Sequence, residues 1–318
     1  MMNVFCKTLL ASALTAATLA SAQAAEPLTV YGKVNVTAQS NDDGVESETT
    51  VQSNASRLGV KGDFELSSSL EAFYTVEYEV DTGNDDKNKT FVARNQFVGL
   101  KGAFGAVSLG RNDTMMKNSQ GNVDQFNDLS GDLKHLFKGD NRVEQTVTYM
   151  TPSMNNFRFG VTYAAEAAST QVEAAKKDET ESTDGFSLAA MYGDKDLKNT
   201  PVYAALAYDS EVAGYDILRA TVQAKFADFV VGGMYQQQEK SVGGTSTDGF
   251  LLSAAYHINA VVLKAQYQDM EDKGDSWSIG ADYKLGKPTK LLAFYTTRDM
   301  DASTESEDYI GVGIEHKF

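Results

Sequence analysis

The sequence of 318 residues contains one cysteine, three histidines and one tryptophan. The cysteine is Cys6, close to the N-terminus, so a chain processed beyond it would have no disulfide and no thiol chemistry. His135, His257 and His316 have no recognisable nucleophile motif beside them, and the chain has too few ligands for a zinc site. We therefore expect neither an enzyme nor a protein with a metal or a cofactor.

Long apolar runs are also absent beyond the N-terminus. No later stretch approaches the roughly 18 apolar residues that a membrane-spanning helix needs, and the mean hydropathy is −0.33. A helical membrane protein is excluded. Membrane-spanning strands are not excluded. Apolar and polar residues alternate along such a strand, so a hydropathy value averaged over a window stays low.

Basic residues are few: 28 against 44 acidic residues, for a net charge of −16. Nucleic-acid binding is therefore not expected, since phosphate-binding surfaces need excess Lys and Arg. The acids are either a solvated surface or a negative field that attracts cations, and none has the spacing of an EF-hand calcium loop. They cluster in loop-like segments: Asp42, Asp43, Glu46, Glu48, Asp85, Asp86, Asp299, Asp301, Glu305, Glu307 and Asp308.

The N-terminus is typical of an export signal. Lys7 supplies a positive charge, residues 9–20 are apolar apart from Ser and Thr, and Ala22-Gln23-Ala24 matches a cleavage site. We expect residues 1–24 to be a cleavable signal peptide and 25–318 to be the mature domain. An uncleaved anchor is the alternative, which the short apolar region disfavours.

The strongest pattern in the chain is alternation with a period of two. Between Leu70 and Val80, apolar residues fall on one face, while Glu71, Glu77 and Glu79 fall on the other. Only a strand separates these two sets, since a helix would mix them. One face of this strand needs water and the other needs an apolar surrounding.

The same alternation recurs along the whole chain in rows of roughly 9 to 12 residues, long enough to cross a bilayer when tilted. About sixteen rows predict an all-β, 16-stranded antiparallel transmembrane β-barrel, wide enough to hold water. A soluble β-sandwich would alternate too, but with shorter strands. The predicted strands start near residues 28, 56, 69, 90, 105, 142, 156, 185, 199, 214, 228, 248, 260, 275, 289 and 308.

Residues 112–141 break the alternation. A loop of this length is usually functional, and its apolar residues, such as Phe126, Leu133 and Phe137, indicate packing. In a wide barrel such a loop can fold inward and narrow the lumen. The alternative is a long external loop.

Several motifs, in this order, make the mature chain resemble the general porin family of Gram-negative bacteria, the trimeric 16-stranded porins of the neisserial, burkholderial and vibrio-like type. The first are Val30-Tyr31-Gly32 and Ser56-Arg57-Leu58-Gly59-Val60-Lys61-Gly62. Further matches are residues 94–102, 104–111, 141–143, 149–152, 281–287 and 311–318.

The resemblance implies a homotrimer, an inward-folded third loop over 112–141, and wall arginines that face loop acids across a constriction. By motif, the arginines are Arg57, Arg94 and Arg142. Arg57 and Arg142 oppose outward rows, whereas Arg94 shares the phase of Val98 and would need a β-bulge. Asp124 and Asp128 are the expected acids from their position in the middle of the loop.

Other basic residues are expected at the pore wall or the loop edge, where ordinary wetted lumen is the alternative: Lys33, Arg111, Arg158, Arg219 and Lys264. In similar proteins a C-terminal aromatic, here Phe318, is the signal read by the barrel-assembly machinery. Outer-membrane lipid and lipopolysaccharide would surround the barrel.

The expected function is passive diffusion of ions and small hydrophilic solutes, with weak cation selectivity. A sugar-specific porin would need an aromatic slide, but Trp277 lies in an outward row. An outer-membrane enzyme and a purely adhesive barrel remain as alternatives.

Overall fold

The computed structural model describes residues 28–83, 90–165 and 184–318. The expected signal peptide, Asp85, Asp86 and residues 166–183 lie outside these ranges. The strands are β1 (Leu28–Asp42), β2 (Ser47–Ser53), β3 (Arg57–Ser67), β4 (Leu70–Val80), β5 (Phe91–Gly102), β6 (Gly105–Asp113), β7 (Arg142–Met150), β8 (Phe157–Ala164), β9 (Gly185–Tyr192), β10 (Val202–Val212), β11 (Tyr215–Phe226), β12 (Phe229–Lys240), β13 (Thr247–Ile258), β14 (Val261–Met270), β15 (Gly274–Lys284), β16 (Thr289–Met300) and β17 (Glu307–Lys317).

These strands form one closed antiparallel barrel. β2 and β3 both pair with β1, so they make up a single barrel strand interrupted at residues 54–56. The other fifteen strands bring the total to sixteen, which confirms the predicted fold. β1 closes the barrel by pairing with β17 from Lys33 opposite Lys317 to Asp42 opposite Asp308.

The two faces of the wall have opposite chemistry, as alternation requires. The outer face carries exposed apolar side chains such as Val98, Leu109 and Ile310, which are 56%, 56% and 60% exposed. The inner face carries buried polar side chains such as Thr37 and Gln236. An outer surface of this kind needs lipid, and the inner surface needs water or polar partners.

The first hairpin differs from the sequence prediction. The second strand was predicted to start near residue 56, but β1 runs on to Asp42 and an additional strand, β2, begins at Ser47. The turn is built by the acids themselves, since Asp42 accepts from the Gly44 amide and Asp43 accepts from two amides further along. Short side chains that bond their own backbone favour such turns.

Two helical turns lie between β6 and β7. The first is α1 (Met115–Asn118), which begins after Thr114, whose side chain accepts a hydrogen bond from the Lys117 amide. The second is a single 3₁₀ turn at Leu133–His135, which Asp132 caps in the same way. Within the described ranges, no helix is long and apolar enough to cross a membrane.

Candidate functional site: the loop inside the barrel wall

Residues 114–141 pack against inward side chains of the barrel wall through three apolar clusters. Met115 and Met116 lie with Met191 and Tyr203. The second cluster contains Val123, Leu133, Leu136, Phe137, Met234, Leu251 and Met270, and the third contains Phe126, Leu129, Leu292 and Phe294. Several of these loop residues are fully buried, so the apolar side chains noted in the sequence bind the loop to the wall.

Hydrogen bonds from wall glutamines reinforce this packing. Gln223 accepts from the Asn122 amide at 2.7 Å, and Gln238 accepts from the Lys138 amide at 3.0 Å. Gln266 both accepts from the Gln125 amide and donates to the Gly131 carbonyl. Amide side chains suit this position because each carries both a donor and an acceptor.

Arg219 ties the end of the loop to the wall. Its guanidinium donates to the Lys138 carbonyl at 2.7 Å, and also to the side chains of Gln120 and Gln236. The residue is only 1% exposed. Arg219 was expected at the pore wall or the loop edge, and in the structure it lies on the inner wall and binds the loop.

Gly160 permits the close approach of α1 to the wall. A Cβ on Gly160 would overlap the thioether of Met115. A larger residue there would push the start of the loop away from β8.

Asp128 is the loop acid that reaches the basic wall. Its carboxylate lies 2.6 Å from Lys33 Nζ and 3.8 Å from an Arg57 nitrogen. Burial raises the pKa of this carboxyl, but Lys33 and Arg57 more than offset that effect and hold the pKa below its usual value. Asp128 is therefore ionised at neutral pH and pairs with two of the predicted basic residues.

The backbone around Asp128 is unusual. The residue has φ of +67°, a left-handed conformation that Asp tolerates better than most residues. Its amide donates to the Asp132 carboxylate at 2.8 Å. Asp132 thus holds the turn that aims the Asp128 side chain at Lys33.

Asp124, the other expected acid, is placed differently. Its two oxygens accept from the amides of Phe126 and Leu133 at 2.9 and 3.0 Å, and it is 8% exposed. Burial, with Asp132 nearby, raises its pKa to about 8. Asp124 therefore holds the loop backbone together and forms no ion pair with Arg57, Arg94 or Arg142.

The bulge that Arg94 required is present. Val76 pairs with Gln96 and Tyr78 with Ala93, so β5 has one residue more than β4 in this interval. The extra residue turns Arg94 toward the inward face of β4, where it bonds Glu77 at 2.6 Å and Glu79 at 2.9 Å. Arg94 therefore pairs with wall carboxylates and not with the loop acids.

Arg142 lies at the base of the loop. It contacts Asp113 at 2.9 Å and donates to the Asn95 side chain at 3.0 Å. The neighbouring Val143, expected on the outward row, is buried with Ala164 and Val212. The reason is a second register shift: Gly110 pairs with Thr146 and Asn112 with Val143, so β7 has one residue more than β6 in this interval. The extra residue moves Val143 to the opposite face of β7.

The remaining predicted basic residues divide between the two faces. Arg111 shares the outer face with Val107 and Leu109 by register and lies 3.5 Å from Glu144, so it stands at the loop edge and outside the lumen. Lys264 is inward, 3.1 Å from Asp282, and donates to the Gln125 carbonyl. Arg158 is inward and half-buried on β8.

Sequence reasoning missed the partners of these residues. Glu77 and Glu79 stood out as an inward acidic row, but their pairing with Arg94 depends on the bulge. The glutamines on β11–β14 gave no signal beyond inward phase, because a neutral amide can face water or a loop equally well. Asn95 bonds both Asp113 and Arg142, and these contacts could not be predicted because Asn95 lies in the same bulge.

The chain end closes the barrel. Phe318 and Gly32 exchange two backbone hydrogen bonds, of 2.9 and 3.1 Å. The Phe318 side chain is 58% exposed, at the end of the outward row Ile310, Val312 and Ile314. Among the residues that the structure describes, no group of three or more His, Cys, Asp or Glu side chains is arranged to hold a metal ion.

Known proteins resemble this chain in sequence and in fold. A family model described as Gram-negative porin matches residues 10–303. An outer membrane porin protein of Bordetella pertussis is 24% identical over 98% of this chain and 100% of its own length. A monosaccharide porin of Halomonas is 27% identical over 72% of this chain and 67% of its own.

A solved structure gives the same fold. The anion-selective porin from Comamonas acidovorans has a TM-score of 0.75, with 22% identity, over 92% of this chain and 100% of that one. The family match spans most of the chain, and the barrel closes with the sixteen strands predicted from the sequence. The chain therefore belongs to the Gram-negative porin family of outer-membrane barrels.

Proposed function

We propose that this porin is a general diffusion channel for ions and small hydrophilic solutes, with a weak preference for cations. The observation that carries the proposal is the pairing of Asp128 on the loop with Lys33 and Arg57 on the wall. This pairing is the constriction that we assign to the channel. Arg94 with Glu77 and Glu79 extends the charged wall beside it.

Family membership gives the broader class. Gram-negative porins are passive channels in the outer membrane, so the prediction that the chain is no enzyme is confirmed by the family match. The proposal concerns what the channel admits and how it assembles.

The charges at the constriction support passage of polar solutes. Opposite charges on facing surfaces set up a transverse field in which polar molecules align, while apolar molecules must displace ordered water. Asp128 carries one negative charge against the positive charges of Lys33 and Arg57, and Glu315 lies 3.9 Å from Lys33. Nearly balanced charge of this kind favours weak selectivity.

The proposed cation preference depends on acidic side chains at one end of the barrel. Exposed acids at 43–48 and 299–305 lie at one end of the barrel, brought together by the pairing of Asp42 with Asp308. Such a field raises the local cation concentration. The anion-selective porin of Comamonas acidovorans shares the fold at 22% identity, and that likeness carries no selectivity over to this chain.

A sugar-specific channel is less well supported. One relative is a monosaccharide porin, but the only tryptophan here, Trp277, is 40% exposed on the outer face, where it packs on Tyr295. It cannot form an aromatic slide in the lumen.

For export and assembly, we propose cleavage after Ala24, recognition of Phe318 by the barrel-assembly machinery, and a homotrimer surrounded by lipid and lipopolysaccharide. The apolar row that ends in Phe318 supports the assembly signal. The A-x-A motif supports the cleavage site.

The test is a planar bilayer recording of the purified protein under a KCl gradient. We expect large ohmic conductance that closes in three equal steps, and a reversal potential of the sign that potassium preference gives. Silence from folded protein would contradict the open channel. Single-step closure would contradict the trimer, and a chloride-signed potential would contradict the cation preference.

A further inference from the structure

A cavity of about 280 Å³ lies between α1 and the inner wall formed by β4–β10. It is distinct from the pairing of Asp128 with Lys33 and Arg57, since none of those three residues lines it. Its volume is near the lower end of ligand-binding pockets, which span about 300–1,000 Å³. It is large enough for one small organic molecule.

The floor of this cavity is apolar, which is unusual for a wetted lumen. Phe73 and Phe97 meet edge to face with ring centroids 6.0 Å apart. Met115 and Met191 are buried beside them. Thioethers and aromatic edges pack well against an aromatic or branched aliphatic body.

The charge of the cavity has one sign. Arg158 and Lys195 line it, and among the described residues no carboxylate lines it. Neither cation forms an ion pair within the described part of the chain, whereas Lys33, Arg94 and Lys264 are all paired. A guanidinium without a partner can bind a carboxylate through two parallel hydrogen bonds.

We propose that this cavity is a binding site for small organic anions with an apolar body, of the aryl-alkyl or branched-chain carboxylate class. Such a solute places its apolar part on Phe73, Phe97 and the methionines, and its carboxylate against Arg158 and Lys195. Binding is weak, because a channel site must also release its solute. The inference rests on the open channel proposed above.

The experiment measures block of the potassium chloride current in a planar bilayer at about 0.1 M salt, where screening is moderate. Hydrocinnamate is the probe, added to both sides at neutral pH. Propionate supplies the charge without the ring, and hydrocinnamyl alcohol supplies the ring without the charge. We expect hydrocinnamate to block at a concentration at least about fivefold lower than either control compound.

Two variants locate the effect. Arg158→Gln should raise the half-blocking concentration of hydrocinnamate about fivefold, because a partly exposed charged hydrogen bond is lost. Phe97→Leu keeps an apolar wall but removes the ring, and should weaken the block by hydrocinnamate more than that by propionate. Lys61→Gln is the matched control, since Lys61 is another exposed inner-wall cation with no ion pair to any described residue, and it lies outside the cavity.

Equal block by propionate and hydrocinnamate would overturn the proposal, as would unchanged block in Arg158→Gln. Each recording also gives the conductance without probe. A channel that conducts but shows no selective block therefore contradicts the binding site alone, while a silent channel contradicts the proposed function.

Discussion

The ring of Phe318 occupies the space that a side chain on Gly32 would fill, so the last residue of the chain packs directly against the backbone of β1. A Cβ on Gly32 would overlap this ring, and the two backbones are joined by hydrogen bonds in both directions. Gly32 is the glycine of the Val30-Tyr31-Gly32 motif. Its missing side chain allows the barrel seam to close.

Gly32→Val should therefore destabilise the seam between β1 and β17. The branched side chain displaces the Phe318 ring and strains both backbone hydrogen bonds, at a cost of about 1–3 kcal/mol. The measurement is the temperature at which the barrel unfolds in detergent, detected by the shift from the band of the folded protein to that of the unfolded chain on gels. The unfolding temperature should fall.

The matched control for this prediction is Gly32→Val combined with Phe318→Ala. Removing the ring relieves its overlap with the valine, although the contact with the Arg57 carbonyl remains, so the double variant should lose less stability than the sum of the two single changes. Strict additivity would show that the ring and Gly32 do not interact.

Asp128→Asn should shift ion preference toward chloride. The change leaves Lys33 and Arg57 without their loop partner, and one charge in a narrow aqueous gap alters the potassium-to-chloride permeability ratio about twofold to fivefold. Reversal potentials in a KCl gradient measure this ratio. Asp63→Asn removes an exposed inner-wall carboxylate paired with Lys101, and should change the ratio much less.

Arg219→Met should loosen the loop while leaving the barrel intact. The Lys138 carbonyl loses a charged donor within a buried site, at a cost of about 1–3 kcal/mol. We expect added fluctuation in the open-channel current and a lower unfolding temperature. Lys225→Met changes an exposed cation on the same face of the same strand and serves as the control. Equal current noise in both variants would contradict the anchoring role.

The hydrogen bonds by which Asp124 holds the loop should weaken as the pH rises. Burial raises the pKa of Asp124 to about 8, so the neutral carboxyl is favoured in the packed loop. A raised folded-state pKa gives stability that is full below the unfolded value, near pH 4, and is lost as the pH rises through about 8. Open-channel noise should therefore increase as the pH rises from about 4 to about 8 and then level off.

Asp124→Asn is the test of this assignment. An amide cannot ionise, so the variant should lose most of the pH dependence while showing higher noise throughout, because its NH₂ group opposes one backbone donor. The neighbouring Asp132, whose burial also raises its pKa, is left in place. A pH profile in Asp124→Asn that matches the unchanged protein would assign the effect elsewhere.

The sequence predicted the barrel because each strand repeats a pattern that only one geometry satisfies. The same pattern placed Arg57 on the inward face. It could not place Arg94, because one extra residue in β5 changes which face of the strand Arg94 occupies. No residue type in the sequence indicates that a bulge occurs at this position. Arg111 was expected at the pore wall or the loop edge, and by register it shares the face of Leu109.

The loop was harder to predict for a different reason. Asp124 and Asp128 are chemically identical and four residues apart, yet one bonds backbone amides and the other reaches Lys33. The choice depends on the left-handed turn at Asp128 and on which apolar side chains enter the wall. Those are tertiary effects that no local pattern contains, so the acid pair remained an expectation from position.

Salt should affect the ion preference of the channel more than the hydrogen bonds by which the wall glutamines hold the loop. Because amide-to-backbone bonds carry no net charge, dissolved salt screens them little, whereas it strongly screens the exposed acids at 43–48 and 299–305. The glutamine attachments of the loop should therefore hold equally well at low and at high salt. We expect salinity to change which ions enter the channel more than how large a molecule can pass.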